Sequence, residues 1–132
     1  MDKGAEEVAA FPKHTKLLLI CVNETYRPGS LELYDAVRYS WKISRPKAEQ
    51  AQYVMAVWRG TIVGVYEPEE WLPAEKANFP NIPDEHGNWT QQDGRSGFLG
   101  VAAPHEVQGL YRGKLVPTEW RHRGNPIRYV NI

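Results

Sequence analysis

The stretch Tyr53 to Trp71, YVMAVWRGTIVGVYEPEEW, constrains this chain more than any other. Two runs rich in Val, Ile and aromatic residues flank Arg59-Gly60, and glycine supplies the positive φ that a two-residue connection requires; the stretch predicts a β-hairpin. Such a turn sets Trp58 opposite Thr61, Val57 opposite Ile62, Ala56 opposite Val63, Met55 opposite Gly64, Val54 opposite Val65 and Tyr53 opposite Tyr66. Alternation then sorts Val54, Ala56, Trp58, Val63 and Val65 onto one face, with Tyr53, Met55, Val57, Ile62 and Tyr66 on the other. Both faces are apolar. A sheet with one wet side carries polar residues there, so this ribbon is expected to be covered twice. The fold class that follows is α+β: a small mixed β-barrel or strongly curved sheet, covered by one long helix and by short ones.

The rest of the chain is read around that ribbon. Met1 to Lys16 is charged and interrupted by Pro12, and is expected to be a flexible tail; residues 17–132 form a single domain. Leu17 to Asn23 is a continuous apolar run of strand length, fit for an interior place in a sheet. Ser30 is a good N-cap, and Leu33, Tyr34, Val37 and Trp41 recur at helical spacing, predicting a helix from Leu31 to about Lys42 that ends near Ser44, since Pro46 disfavours helical geometry at Arg45. Pro46 to Gln52 suits a short second helix. Glu67 to Asp93 reads as a long connection with four prolines and seven acidic residues against one lysine, which is usually a solvated face. Gly97 to Val101 reads as a strand, Val107 to Tyr111 as a short helix, Pro117 to Arg123 as another stopped by Gly124, and Asn125 to Ile132 as a closing strand with Ile127 and Tyr129 on one face.

Composition excludes more than it selects. Sixteen basic residues balance sixteen acidic ones, so no global field draws the protein to polyanions, and any such site must be a local patch. The single cysteine, Cys21, rules out an internal disulfide framework and reads as a core thiol. No apolar run approaches membrane-spanning length, and the expected location is the cytoplasm. Gly113-Lys114 fails as a phosphate loop, because Gln108 stands where the earlier glycine belongs and Leu115 replaces the hydroxyl residue. His14, His86, His105 and His122 lack any metal-binding spacing, so neither metal nor cofactor is expected.

Two groupings rise above that background. Tyr34 and Arg38 lie one helical turn apart with Asp35 and Trp41 beside them, and an arginine among aromatic rings can stack or present a planar fork to a carboxylate or phosphate. The plainer alternative is an Arg38–Asp35 bridge along the helix. The second grouping is the basic stretch Arg112, Lys114, Arg121, His122, Arg123 and Arg128, interleaved with Tyr111, Trp120 and Tyr129 and opposed only by Glu119. Cations among aromatic rings are what nucleic-acid surfaces use, although pairing with the acidic run 67–93 is an equally good use for them.

At LYDAVRYSW (Leu33 to Trp41), the hairpin, GFLG and the terminal NPIRYVN, the chain resembles a poorly characterised group of small bacterial proteins with the same blocks in the same order. It departs from their pattern at Tyr39, where glycine is expected. The helix followed by an apolar hairpin also looks like the opening of PUA-like barrels of the ASCH and EVE types. That likeness implies an RNA- or modified-base-binding pocket between barrel and helix, with Arg38, Trp41 and Trp58 lining it and Trp71 at its rim; Tyr34, one turn from Arg38, completes the expected ligand-binding set.

The reading that results is a binding module for nucleic acid (RNA or DNA) or a modified-base or nucleotide-like ligand, with Lys114, Arg121, Arg123 and Arg128 meeting phosphates. A small hydrolase or transferase using Arg38 and a loop carboxylate, and a protein-interaction module using the acidic run, are the alternatives.

Overall fold

In the computed structural model, residues 7–23, 32–82, 84, 94–121 and 124–132 are described. The protein is α+β, built on a five-stranded mixed sheet with few helices. In chain order the elements are β1 (Leu17–Cys21), α1 (Leu33–Arg38), α2 (Arg45–Ala48), β2 (Tyr53–Trp58), β3 (Thr61–Pro73), β4 (Ser96–Ala102), α3 (His105–Tyr111), a 3₁₀ turn (Thr118–Trp120) and β5 (Ile127–Val130). The spatial order is β4-β3-β2-β1-β5, and β1–β2 is the parallel pair. The outer strands β4 and β5 do not pair with each other among the described residues, so the sheet is open.

The hairpin forms around the expected turn. Arg59 at φ 51° and Gly60 at φ 81° both take the left-handed geometry of a type I′ connection, and Trp58 faces Thr61 as Val57 faces Ile62. The register then shifts by one residue: Ala56 faces Gly64, Met55 faces Val65 and Val54 faces Tyr66. This bulge corrects the sorting of side chains beyond it, because one extra residue sends everything that follows to the opposite face. Val65 therefore packs with Met55 and Val57, while Tyr66 joins Val54 and Ala56. A Cβ on Gly64 would press into the Leu33 and Tyr66 side chains.

Both faces of the ribbon are covered. On one, Leu18, Ile20, Val54 and Ala56 pack against Val37 of α1, Trp41 and Ala48 of α2. On the other, Leu17, Leu19, Met55, Val57 and Ile62 pack against Tyr111 of α3, Val116 and Ala9. Complete burial of a Leu or Val side chain stabilises by about 1.5–3 kcal/mol, and these strands bury most of theirs.

Three expectations need correction. The helix predicted from Leu31 to Lys42 is present only as Leu33–Arg38; Tyr39 is already extended, and Trp41 makes backbone hydrogen bonds with Ser96 at the start of β4. The run from Glu67 to Pro73 belongs to β3, where Glu67, Glu69 and Glu70 are exposed. Pro68 is tolerated there because, among the described residues, β4 is the sole strand neighbour of that half of β3. Pro117 to Arg123 yields a single 3₁₀ turn among its described residues.

Of the arm Met1–Lys16, residues 7–16 are fastened. Glu7 and Ala9 exchange backbone hydrogen bonds with Leu115, and the Asn131 amide donates to the carbonyls of Pro12 and Thr15. No helix among the described residues is long and apolar enough to cross a membrane.

Candidate functional site

The parallel pair β1–β2 directs two strands so that their carboxyl ends, Cys21 and Val57-Trp58, arrive at the same edge of the sheet. In sheets of this kind ligands gather where parallel strands end, because the chain departs there and leaves a crevice. A cleft of about 410 Å³ opens at that edge. Its apolar lining comes from Trp41, Val57, Val116 and Pro126, and the Cys21 side chain, half-buried, also borders it. Polar side chains enter from Asn23, Asn125 and Arg121, while Gly60 and Gly124 bring bare backbone to the lining. No carboxylate lines it among the described residues.

Each polar group is held by a local device. β1 ends at Cys21, and two residues on the Asn23 side-chain oxygen accepts from the Arg59 backbone N–H at 2.8 Å, fastening the strand end to the hairpin turn. The Asn125 side-chain oxygen accepts from the Ile127 N–H at 2.8 Å, an Asx turn that starts β5. Arg121 donates through Nε to the Val116 carbonyl at 3.2 Å, and its own carbonyl accepts from Arg128 at 2.9 Å. At the hairpin tip beside Gly60, the Arg59 guanidinium lies 4.6 Å from the centre of the Trp58 ring.

Of the residues expected to form one site, Tyr34, Trp41, Trp58 and Trp71 share one packed hydrophobic cluster, and Arg38 lies over the Tyr34 ring. Arg38 is only 4 % exposed. Its Nε donates to Asp35 at 2.8 Å, and its guanidinium lies over the Tyr34 ring at 4.9 Å and the Phe79 ring at 5.4 Å. Tyr34 in turn uses its hydroxyl on Gly100, accepting from the N–H and donating to the carbonyl. Trp71 is buried against Phe98 at 5.1 Å between ring centres, and its indole N–H finds no partner among the described residues. Trp41 is 6 % exposed, and its indole N–H donates to the Val37 carbonyl at 2.7 Å. Of the five, Trp41 alone lines the cleft; Trp58 stands next to it beneath Arg59.

Among the cations expected to meet phosphate, Arg121 lines the cleft, Arg128 braces the Arg121 backbone, and Lys114 lies in the segment hydrogen-bonded to Ile62 at the start of β3. Arg123 lies outside the described residues. No cluster of three or more potential metal ligands occurs among the described residues. Among the described residues, burial pushes the Tyr39 pKa up to about 12 against the pull of nearby Arg95, and burial, with a smaller contribution from Tyr53, raises that of Tyr111.

Sequence reasoning missed Asn23 and Asn125. The available signal was positional: each asparagine terminates or precedes an apolar strand run, where strand ends gather into crevices.

No protein-family model, curated protein or solved structure matches this chain.

Proposed function

We propose that the protein is a binding module for nucleic acid or a nucleotide-like ligand, seated in the cleft at the carboxyl ends of β1 and β2. The observation that carries this reading is the lining itself: apolar Trp41, Val57, Val116 and Pro126 border the same cleft as Arg121, Asn23 and Asn125. Ligand pockets of about 300–1,000 Å³ combine a mainly apolar surface with a few placed polar groups, and this cleft falls within that range. A base packs on the apolar wall while its phosphate meets Arg121. Arg59, over the Trp58 ring, precedes the lining residue Gly60 in the same turn.

A PUA-like mode of capture, the finer reading of the fold, puts the ligand between sheet and covering helix. Trp41 follows α1 directly and reaches the cleft from that covering layer, which is the point of contact between the two descriptions. Fold analogy does not establish function, so the test must be a binding one.

Fluorescence anisotropy of labelled single-stranded and methylated oligonucleotides at low salt, alongside calorimetric titration with nucleotides, measures it. Saturable binding that weakens in Arg121→Met supports the reading. Absence of binding by every one of these ligands overturns it.

A further inference from the structure

Among the side chains that line the cleft, the hydrogen-bonding capacity left is one-sided. The side-chain oxygens of Asn23 and Asn125 are both occupied, accepting from the N–H groups of Arg59 and Ile127. Those bonds fix the orientation of each amide, because only the oxygen can accept, and they leave each Nδ2 group as a donor. Neither NH₂ group has a protein partner among the described residues. The backbone oxygens of Val57, Gly60, Val116 and Pro126 each already accept one hydrogen bond, from Val22, Val116, Arg121 and Cys21. The terminal nitrogens of Arg121 are further donors. Thus three side chains offer donors, two neutral and one charged, on a wall that carries no carboxylate among the described residues.

Resting on the nucleotide reading above, we infer that the cleft seats a terminal phosphate monoester, whether of a free mononucleotide or of the phosphorylated end of a nucleic-acid strand. A monoester carries nearly two negative charges and three strong acceptor oxygens and offers no obligatory donor. It therefore satisfies Asn23, Asn125 and Arg121 at once. An internal diester has one charge and two free oxygens, and a plain nucleoside has neither.

The decisive variants are Asn23→Asp and Asn125→Asp. Each keeps an oxygen to accept the same backbone N–H, so the strand ends stay fastened, and each replaces the free donor by a negatively charged acceptor. Calorimetric titration of the full chain uses four probes: adenosine, adenosine 5′-monophosphate, and a single-stranded octanucleotide with and without a 5′-phosphate. The monophosphate is expected to bind about tenfold or more tighter than the nucleoside, and the phosphorylated strand likewise tighter than its unphosphorylated twin. Both Asp variants should lose about tenfold or more in monophosphate affinity at an unchanged melting temperature. The two probe pairs separate the sources: a phosphate effect confined to the mononucleotide assigns a free nucleotide, and one shared by the oligonucleotide assigns a strand end. Equal binding with and without phosphate, or full binding by the Asp variants, overturns the monoester inference while leaving the nucleotide reading intact. Binding by none of the probes overturns both.

Discussion

Arg38 and Arg121 carry the same group in opposite settings. Arg38 is enclosed by Tyr34, Phe79 and Asp35, with the backbone carbonyl of its own residue so near Gly97 that a Cβ there would collide with it. Arg121 is exposed, tied by one bond to the Val116 carbonyl, and borders an open cleft. A guanidinium between rings in a closed, low-dielectric place stabilises the fold by holding α1 against β4 and the 74–82 segment. A guanidinium with idle donors beside a cavity is available to a ligand. The lesson is that aromatic neighbours do not distinguish the two cases; enclosure does.

The most damaging way to break the closed region is Phe79→Ala, which removes a fully buried ring from beneath Arg38 and is expected to cost about 3–5 kcal/mol in urea unfolding. Arg38→Met keeps much of the volume but orphans Asp35, whose side chain is 22 % exposed, and should cost on the order of 3 kcal/mol without altering nucleotide affinity. If Arg38→Met instead abolished binding at full stability, the division between the two arginines would collapse.

For the open region the pattern reverses. Arg121→Met should change stability by less than about 0.5 kcal/mol, while affinity for a monophosphate falls by about tenfold. Raising salt from 50 to 200 mM should weaken strand binding by roughly threefold per phosphate contacted.

Near neutral pH the smallest effect comes from Tyr39, packed on Phe79 in the closed region. Its folded pKa of about 12 lies above the ordinary 10, so folding favours the neutral phenol. That contribution is complete below pH 10 and is lost as pH rises from 10 to 12. A Tyr39→Phe variant should show a flatter decline in stability across that window, measured by circular dichroism; an identical decline would place the burden elsewhere.

How much of this was legible follows from which forces are local. The type I′ turn at Arg59-Gly60 was readable because glycine chemistry decides it, β1 and β4 because their apolar runs are short and continuous, and β5 because Ile127 and Tyr129 alternate onto one face. The bulge between Ala56 and Val57 was not, since it is a matter of register between two strands, and the Leu33 side chain that a Cβ on Gly64 would meet comes from α1, outside the hairpin. Trp41 shares a helical stripe with Val37, yet its backbone pairs with Ser96, a contact made across a long interval of sequence. The acidic half of β3 looked like loop because Pro68 and three glutamates obscure its pairing with β4. At the site, Trp41 and Arg121 were visible by residue type, whereas Asn23 and Asn125 emerged only when β1 and β5 met side by side.

The measurement that tests the central claim most directly is the backbone amide NMR spectrum during titration with adenosine 5′-monophosphate. The account predicts saturable shifts concentrated at Cys21, Asn23, Gly60, Arg121 and Asn125, with Tyr34, Arg38 and Phe79 unmoved. Shifts centred on Arg38 and Phe79, or a spectrum unchanged at millimolar nucleotide, would contradict it.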